Sequence, residues 1–388
     1  MFLKLKYKLK LIIVSQFCFI NRLIKPKMNK ILIYDVKGTK GCNTGALFDF
    51  LIERGYNKKY RIVYSVRDYK KLNTQNFYNV KFVGKVSSVF HFLTSKYVFY
   101  RANWLFIKPV KNQQVVQMWH GSPIKRDAED QVGRKADNPY FTAFLSASPH
   151  FDSIYSEVFH VPIEKMIRCG HPRTDDLFKP SPNYDFGEYK KLILWTPTYR
   201  KRKHEVYGGK KQVEHDDTLV PLIHADSFHE VNERLREKHT KVIIKLHPLQ
   251  SLDNYDLTDL DHFVLLSHQE FLDRGMSLYP LMKQSDALIT DYSSIYWDYL
   301  ILDRPIGFTE DDIEEYADGR GFIMDDPEKF KPGAKLYTME DFYLFVDNLV
   351  SGIDNYKQQR KEINDYGNPV TDGHSCQRAL ESVGITLI

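Results

Sequence analysis

Residues 286–308, DALITDYSSIYWDYLILDRPIGF, place the tightest constraint on what this chain can fold into. Ala287 to Thr290 is a short apolar run of buried-strand type. It stops at Asp291-Tyr292-Ser293-Ser294, after which Ile295, Tyr296, Tyr299, Leu300 and Leu302 recur at helical spacing until Pro305. A strand that feeds a helix through a polar turn belongs to a layered α/β protein. The first helical N–H groups have no partners inside the helix and the macrodipole favours negative charge there, so the turn is a candidate phosphate site. Ser293 and Ser294 add hydroxyl donors. An ordinary helix cap uses the same residue types, so other stretches must decide.

The same alternation runs along the chain. Apolar runs at 29–35, 60–66, 79–83, 97–100, 115–119 and 143–147 read as strands, separated by helix-sized segments such as 87–94 and 148–159. Pro, Ser, Asn and Gly gather at 180–187, which is linker chemistry. A second series follows, with strands at 192–196, 242–246, 263–266, 287–290 and 305–308 and helices at 226–238, 277–283, 292–302 and 339–349. The expected fold class is α/β, with two doubly wound, Rossmann-like domains at 29–182 and 188–345. A helical tail, 346–388, is expected to pack back across the domains, its last helix near 376–383 capped by Asp372 or Ser375. Between Arg200 and Asp217 the chain is charged and centred on Gly208-Gly209, as a surface loop that can close over a ligand.

Residues 1–30 hold seven Lys and Arg22 with no acid, so the net charge of +5 belongs to the leader and the remainder is mildly acidic. A nucleic-acid-binding body is disfavoured on that ground. The leader's apolar run, Leu11 to Ile20, is about half of the ~20 residues needed to span a bilayer, and no small-residue cleavage site follows. Residues 1–28 therefore fit either a segment lying on an anionic membrane surface or an irregular leader ahead of a start at Met28. Cys18, Cys42, Cys169 and Cys376 lack CxxC spacing, which indicates neither a disulfide framework nor a zinc site and suits a reducing cytoplasm. KGTKGCNTG at 37–45 lacks both the P-loop ending and the GxGxxG spacing.

In doubly wound folds ligands bind outside the carboxyl ends of the strands, in a cleft when two such domains are joined. Three strand ends carry reactive side chains there: His120 in VVQMWHGSP, Arg200 in LILWTPTYR and His247 in VIIKLHP. With the TDYSS turn they read as one shared site.

These residues resemble the CDP-glycerol glycerophosphotransferase family, the polymerases and primases of teichoic acids and related phosphate-linked capsules. The blocks are WHGSPIK at 119–125, GHPRTDDLF at 170–178, TPTYR at 196–200, IIKLHP at 243–248, TDYSSIYWDY at 290–299 and DRPIGF at 303–308. His171, Thr174 and Lys245 depart from the usual residues of that pattern. The resemblance implies a glycosyltransferase-B-like fold with an N-terminal acceptor domain and a C-terminal CDP-alditol-binding domain. It implies transfer of an alditol phosphate from a CDP-alditol to a hydroxyl of a lipid-linked or polymeric acceptor, at the cytoplasmic face of the membrane, with release of CMP. It puts His120 in the role of general base and His247 at the donor pyrophosphate.

The residue types suit that chemistry. A hydroxyl attacking phosphorus must lose its proton, and imidazole, with a reference pKa of about 6.5, can take it near neutrality. Arg200, Ser293, Ser294 and His247 can stabilise phosphate oxygens without covalent catalysis. Gly121 lets backbone approach the acceptor. Lys125 and Arg173 can hold an anionic polymer end, an interdomain ion pair being the alternative for Arg173. Asp291 can hold a histidine or the ribose, and Trp119, Thr198 and Thr290 of the same blocks are expected to line the substrates. Asp298 reads as structural. Asp311-Asp312 and Asp325-Asp326 lack the spacing of a metal motif, so neither a protein-held metal nor another cofactor is expected. A nucleotide-sugar glycosyltransferase on the same fold and a non-catalytic assembly scaffold are the competing readings.

Overall fold

The structure is a computed structural model describing residues 16–35, 41–101, 107–122, 140–198, 220–247, 250, 252, 255–319 and 321–387. Two compact units emerge from the packing. Among the described residues, unit 1 takes the chain up to Gly121, the stretch from 140 to Phe178 and the end from Val370, and unit 2 takes Lys179–Pro369. Ser122 is assigned to unit 2 as well.

Unit 1 contains strands β1 (Lys27–Tyr34), β2 (Arg61–Ser65), β3 (Val80–Val83), β4 (Ser95–Tyr100), β5 (Gln114–Gln117), β6 (Ala143–Ser146) and β7 (Met166–Arg168). Their order is β3-β2-β1-β4-β5-β6-β7, with every pairing parallel. Unit 2 contains β8 (Lys191–Thr196), β9 (Thr240–Lys245), β10 (Phe263–Leu266), β11 (Ala287–Thr290), β12 (Ile306–Thr309) and β13 (Ala334–Leu336). Here the order is β10-β9-β8-β11-β12-β13, again parallel. Parallel sheets are covered on both faces, and the strands accordingly read as continuous apolar runs, as at Ile31–Tyr34 and Leu192–Trp195, all buried. In each unit the chain starts at a central strand, works to one edge and returns to the other. That topology leaves a switch point, between β1 and β4 in unit 1 and between β8 and β11 in unit 2.

Three features differ from the sequence expectation. First, β1 begins at Lys27, and residues 16–23 are helical ahead of it, with buried Asn21 donating to the Lys108 carbonyl (2.9 Å) and to Gln113 Oε1 (2.8 Å). Ordered structure therefore precedes Met28; residues 1–15 of the leader lie outside the described residues. Second, β7 and β13 were not expected. Each has three residues and sits at a sheet edge, too short for any periodic pattern.

Third, the tail divides. The helices Met339–Ser351 and Lys357–Gly367 belong to unit 2, whereas Ser375–Glu381 returns to unit 1 and puts Ala379, Leu380, Val383 and Ile385 into the core around Leu47, Leu51 and Tyr97. Burial of Leu380 and Ile385 contributes about 1.5–3 kcal/mol each. The helix is capped neither by Ser375, its first residue, nor by Asp372, which pairs with Arg378 and is thereby held down to about 2. Its cap is Asp175, whose carboxylate oxygens accept the Ser375 and Cys376 backbone N–H groups, both at 2.8 Å. An Asp175→Ala variant leaves two buried donors unmet and is expected to lose about 2–4 kcal/mol, read as a lower urea midpoint, with Asp175→Asn losing less.

Candidate active site

In unit 1 the site begins at the carboxyl end of β5. Trp119 and Gly121 both have positive φ, 47° and 129°, so the backbone reverses there and throws the side chain between them outward. That side chain is His120, exposed between two buried neighbours. Its ring lies 4.2 Å from the Trp119 ring, which packs at 4.5 Å against Phe159. Trp119 is thus buried and packed against the body of unit 1. Gly121 serves close approach of a different kind, because a Cβ there would collide with the Arg173 guanidinium. Arg173 is 8% exposed and its Nη1 donates to the His120 carbonyl, a contact within unit 1. Lys125 lies outside the described residues.

His171 is buried beside this turn. Burial, and behind it the charges of Arg173 and His120, hold its pKa well below the usual 6.5. Asn43, the first residue of the helix Asn43–Glu53, reaches the same place, with its Nδ2 3.5 Å from His171 Nδ1. Sequence reasoning missed Asn43. Its only local signal was its position after a glycine-rich loop.

In unit 2 the TDYSS turn leaves β11 at the switch point. Thr290 pairs with Thr196 of β8 and donates to its carbonyl at 2.9 Å; Asp291 Oδ2 accepts from the backbone N (2.7 Å) and the hydroxyl (2.8 Å) of Thr198. Thr290 and Asp291 are buried, and with Thr198 they tie two strand ends together. Ser293 and Ser294 are half-buried beyond them. Ser294 is the N-cap of Ile295–Tyr299 and makes no side-chain cap bond, so its hydroxyl is not spent on its own helix. That helix has five residues, passes into a 3-10 turn at Leu300–Leu302 and stops at Asp303 (φ 48°), short of Pro305. Asp298 accepts the Tyr279 hydroxyl at 2.7 Å.

Packed side chains brace the turn from below. The Tyr292 ring stacks on Tyr316 at 3.8 Å, its hydroxyl donates to Asp312 at 2.6 Å, and the Lys331 ammonium lies 5.6 Å from its centroid. Lys331 pairs with Glu310, both fully buried. None of these partners was legible as a pattern. His247 is half-buried two residues past β9, in a turn where its N–H donates to Gln250 Oε1 (3.1 Å) and its carbonyl accepts from Gln250 N (2.9 Å). Burial lowers the pKa of neighbouring Lys245. Arg200 and the 200–217 loop lie outside the described residues. Among the described residues no three His, Cys, Asp or Glu side chains converge in a metal-holding group.

Two parallel sheets with this strand order, helices on their faces and polar turns at their carboxyl ends define a glycosyltransferase-B-like α/β enzyme. The family described as CDP-Glycerol:Poly(glycerophosphate) glycerophosphotransferase matches residues 17–384, and the chain belongs to it. It is 29% identical over 387 residues to the teichoic acid poly(glycerol phosphate) polymerase of Bacillus spizizenii, covering 92% of each chain. It is 26% identical over 413 residues to the teichoic acid glycerol-phosphate transferase of Staphylococcus aureus, covering 93% of this chain and 95% of that one. The fold is shared with the solved wall teichoic acid polymerase TagF, with a TM-score of 0.68 at 20% identity over 98% and 96% of the two chains.

The buried neutral His171 carries a pH consequence. Its pKa is lowered on folding, so between about 6.5 and its folded value the unfolded chain binds the extra proton. Its contribution is therefore intact above about pH 6.5 and is lost as the pH falls below it. The urea midpoint of the wild type is expected to drop between pH 7.5 and pH 5, and a His171→Asn variant to show a smaller drop.

Proposed function

We propose that this chain transfers glycerol phosphate from CDP-glycerol to a hydroxyl of a lipid-linked teichoic-acid-like or capsular polymer, releasing CMP. The observation that carries the reading is the family match across 17–384 together with an exposed His120 on an otherwise buried turn of its WHG block. Glycerol is favoured over another alditol because the three relatives covered almost end to end are named for glycerol phosphate.

In this reading the acceptor oxygen attacks the phosphorus that bears glycerol, and His120 takes the hydroxyl proton. The bond from that phosphorus to the bridging oxygen breaks, and its electron pair leaves on CMP. Ser293, Ser294, the N–H groups that open Ile295–Tyr299 and His247 stabilise the phosphate oxygens as charge moves. Arg200 binds the donor phosphates and Lys125 the anionic end of the polymer. The decisive assay is CMP release from CDP-glycerol and CDP-ribitol, with and without a short glycerol-phosphate acceptor. Acceptor-dependent CMP from CDP-glycerol, reduced at least about 100-fold in His120→Ala, is expected. Turnover of a nucleotide sugar in place of both donors would replace the assignment, and no turnover with any donor would favour a scaffold.

The enzyme is further read as peripheral at the cytoplasmic face of the membrane. Among the described residues no helix is long and apolar enough to cross a membrane. Support comes from two short helices of unit 1, residues 16–23 and Lys85–Thr94, which are linked through Gln113: it accepts from Asn21 and donates to the Phe92 carbonyl. Phe19 and Leu23 on one, and Val86 and Phe90 on the other, are exposed at i,i+4 spacing. The flanking charge is positive: burial, with Lys30, Lys81 and Arg61 adding to it, pushes the His91 imidazole down to about 4. Exposed apolar side chains beside basic ones suit an anionic lipid surface. Flotation with phosphatidylglycerol vesicles is expected to recover the wild type, and Val86→Ser/Phe90→Ser to bind at least about 10-fold more weakly; equal recovery with phosphatidylcholine alone would count against the surface.

A further inference from the structure

The turn that presents His120 has an unusual feature: the carbonyls of all four residues from Met118 to Gly121 are held by side chains from elsewhere in unit 1. Asn43 Nδ2 donates to the Met118 carbonyl at 2.9 Å and, more weakly, to that of Trp119 at 3.4 Å. Arg173 Nη1 donates to the His120 carbonyl, and the Tyr155 hydroxyl to that of Gly121 at 2.9 Å. The three donors are themselves linked or locked. Asn43 Oδ1 accepts the Arg173 backbone N–H at 3.3 Å, and Tyr155 packs on Phe144 with ring centroids 4.8 Å apart. From the strand side, Gln117 Oε1 accepts the Trp119 N–H at 3.0 Å.

The turn needs such support. Trp119 is held in the left-handed region, which a bulky L-residue enters only where its surroundings over-determine it, and backbone strain of this kind collects where a reactive group must be aimed. Asn43 and Tyr155 are fully buried and Arg173 nearly so, so the three side chains are placed to act on the turn rather than on a substrate. His120, by contrast, is exposed.

We propose that Asn43, Tyr155 and Arg173 are positioning residues of the transferase, which fix the 118–121 backbone so that the His120 imidazole is presented in one orientation. The inference rests on the reading of His120 as the general base. A base displaced by about 1 Å can lose 100-fold in rate, so the effect belongs in kcat and not in donor affinity.

The test uses the full chain, with CMP release from CDP-glycerol in the presence of a glycerol-phosphate acceptor. Tyr155→Phe keeps the ring and its packing and deletes one hydroxyl; Arg173→Lys keeps the charge and shortens the reach. Each is expected to lower kcat about 10-fold or more with KM for CDP-glycerol changed less than about twofold, and with only a small fall in the urea midpoint for Tyr155→Phe, as for one lost hydrogen bond. The same substitutions are then made in His120→Ala and followed in single turnovers with enzyme in excess. If the residues act through His120, they cause no further loss there. Equal losses in both backgrounds, a raised KM with kcat unchanged, or wild-type kcat in the single variants would each overturn the proposal. The His120→Ala single variant separately judges the reading beneath it: full activity in that variant removes the base, and with it anything that positions the base.

Discussion

In each unit a buried carboxylate accepts backbone N–H from a remote part of the chain, one group at Asp291 and two at Asp175. In unit 2 Asp291 accepts from Thr198, 93 residues earlier, and so joins the exits of β8 and β11 at the point where the strand order reverses. In unit 1 Asp175 accepts from Ser375, 200 residues later, and so brings the last helix into the core. Backbone donors at strand exits and helix starts have no partner within their own element, and away from water an unmet N–H costs more than most contacts return. Asp175 satisfies two of them at once, and Asp291 one together with the Thr198 hydroxyl. The join at the unit 2 switch point and the return of the last helix to unit 1 depend on these two residues.

On that frame the two units offer different things. Unit 1 aims a single imidazole outward from a buried, strained turn. Unit 2 offers hydroxyls and short-helix N–H groups on a turn braced from below by Tyr292, Tyr316 and the buried Lys331–Glu310 pair. In unit 1 the exposed imidazole has buried chain neighbours, and in unit 2 the half-buried Ser293 and Ser294 follow the buried Asp291 and Tyr292. Rigid backbone under exposed donors is what electrostatic stabilisation of a phosphoryl transfer requires, since donors already in place need no reorganisation as charge develops.

Much of this was legible in the sequence. Central strands such as Leu192–Trp195 and Ala287–Thr290 are covered on both faces and must be apolar throughout, so their positions show as runs within a residue or two. The motif blocks fall at strand exits, where a doubly wound fold puts its ligands. The edge strands β7 and β13 did not show, because three residues paired on one side carry no periodic signal. The bracing contacts of Arg173, Thr290 and Asp291 did not show for a related reason. Their residue types suit ligand binding, and only the structure reveals that each also meets the protein's own backbone.

The alternation of strand and helix, the α/β class and the candidate reactive groups His120, His247, Ser293 and Ser294 are written along the chain, because apolar periodicity and strand-exit chemistry are local properties. The tertiary structure alone decided which polar residues face solvent and which brace the turns. It also decided that the tail splits between the units, that Asn43 and Tyr155 converge on the WHG turn, and that Glu310 and Lys331 lie beneath the TDYSS turn. Those choices depend on contacts between segments tens to hundreds of residues apart, and no pattern along the chain encodes which distant donor will meet which buried acceptor.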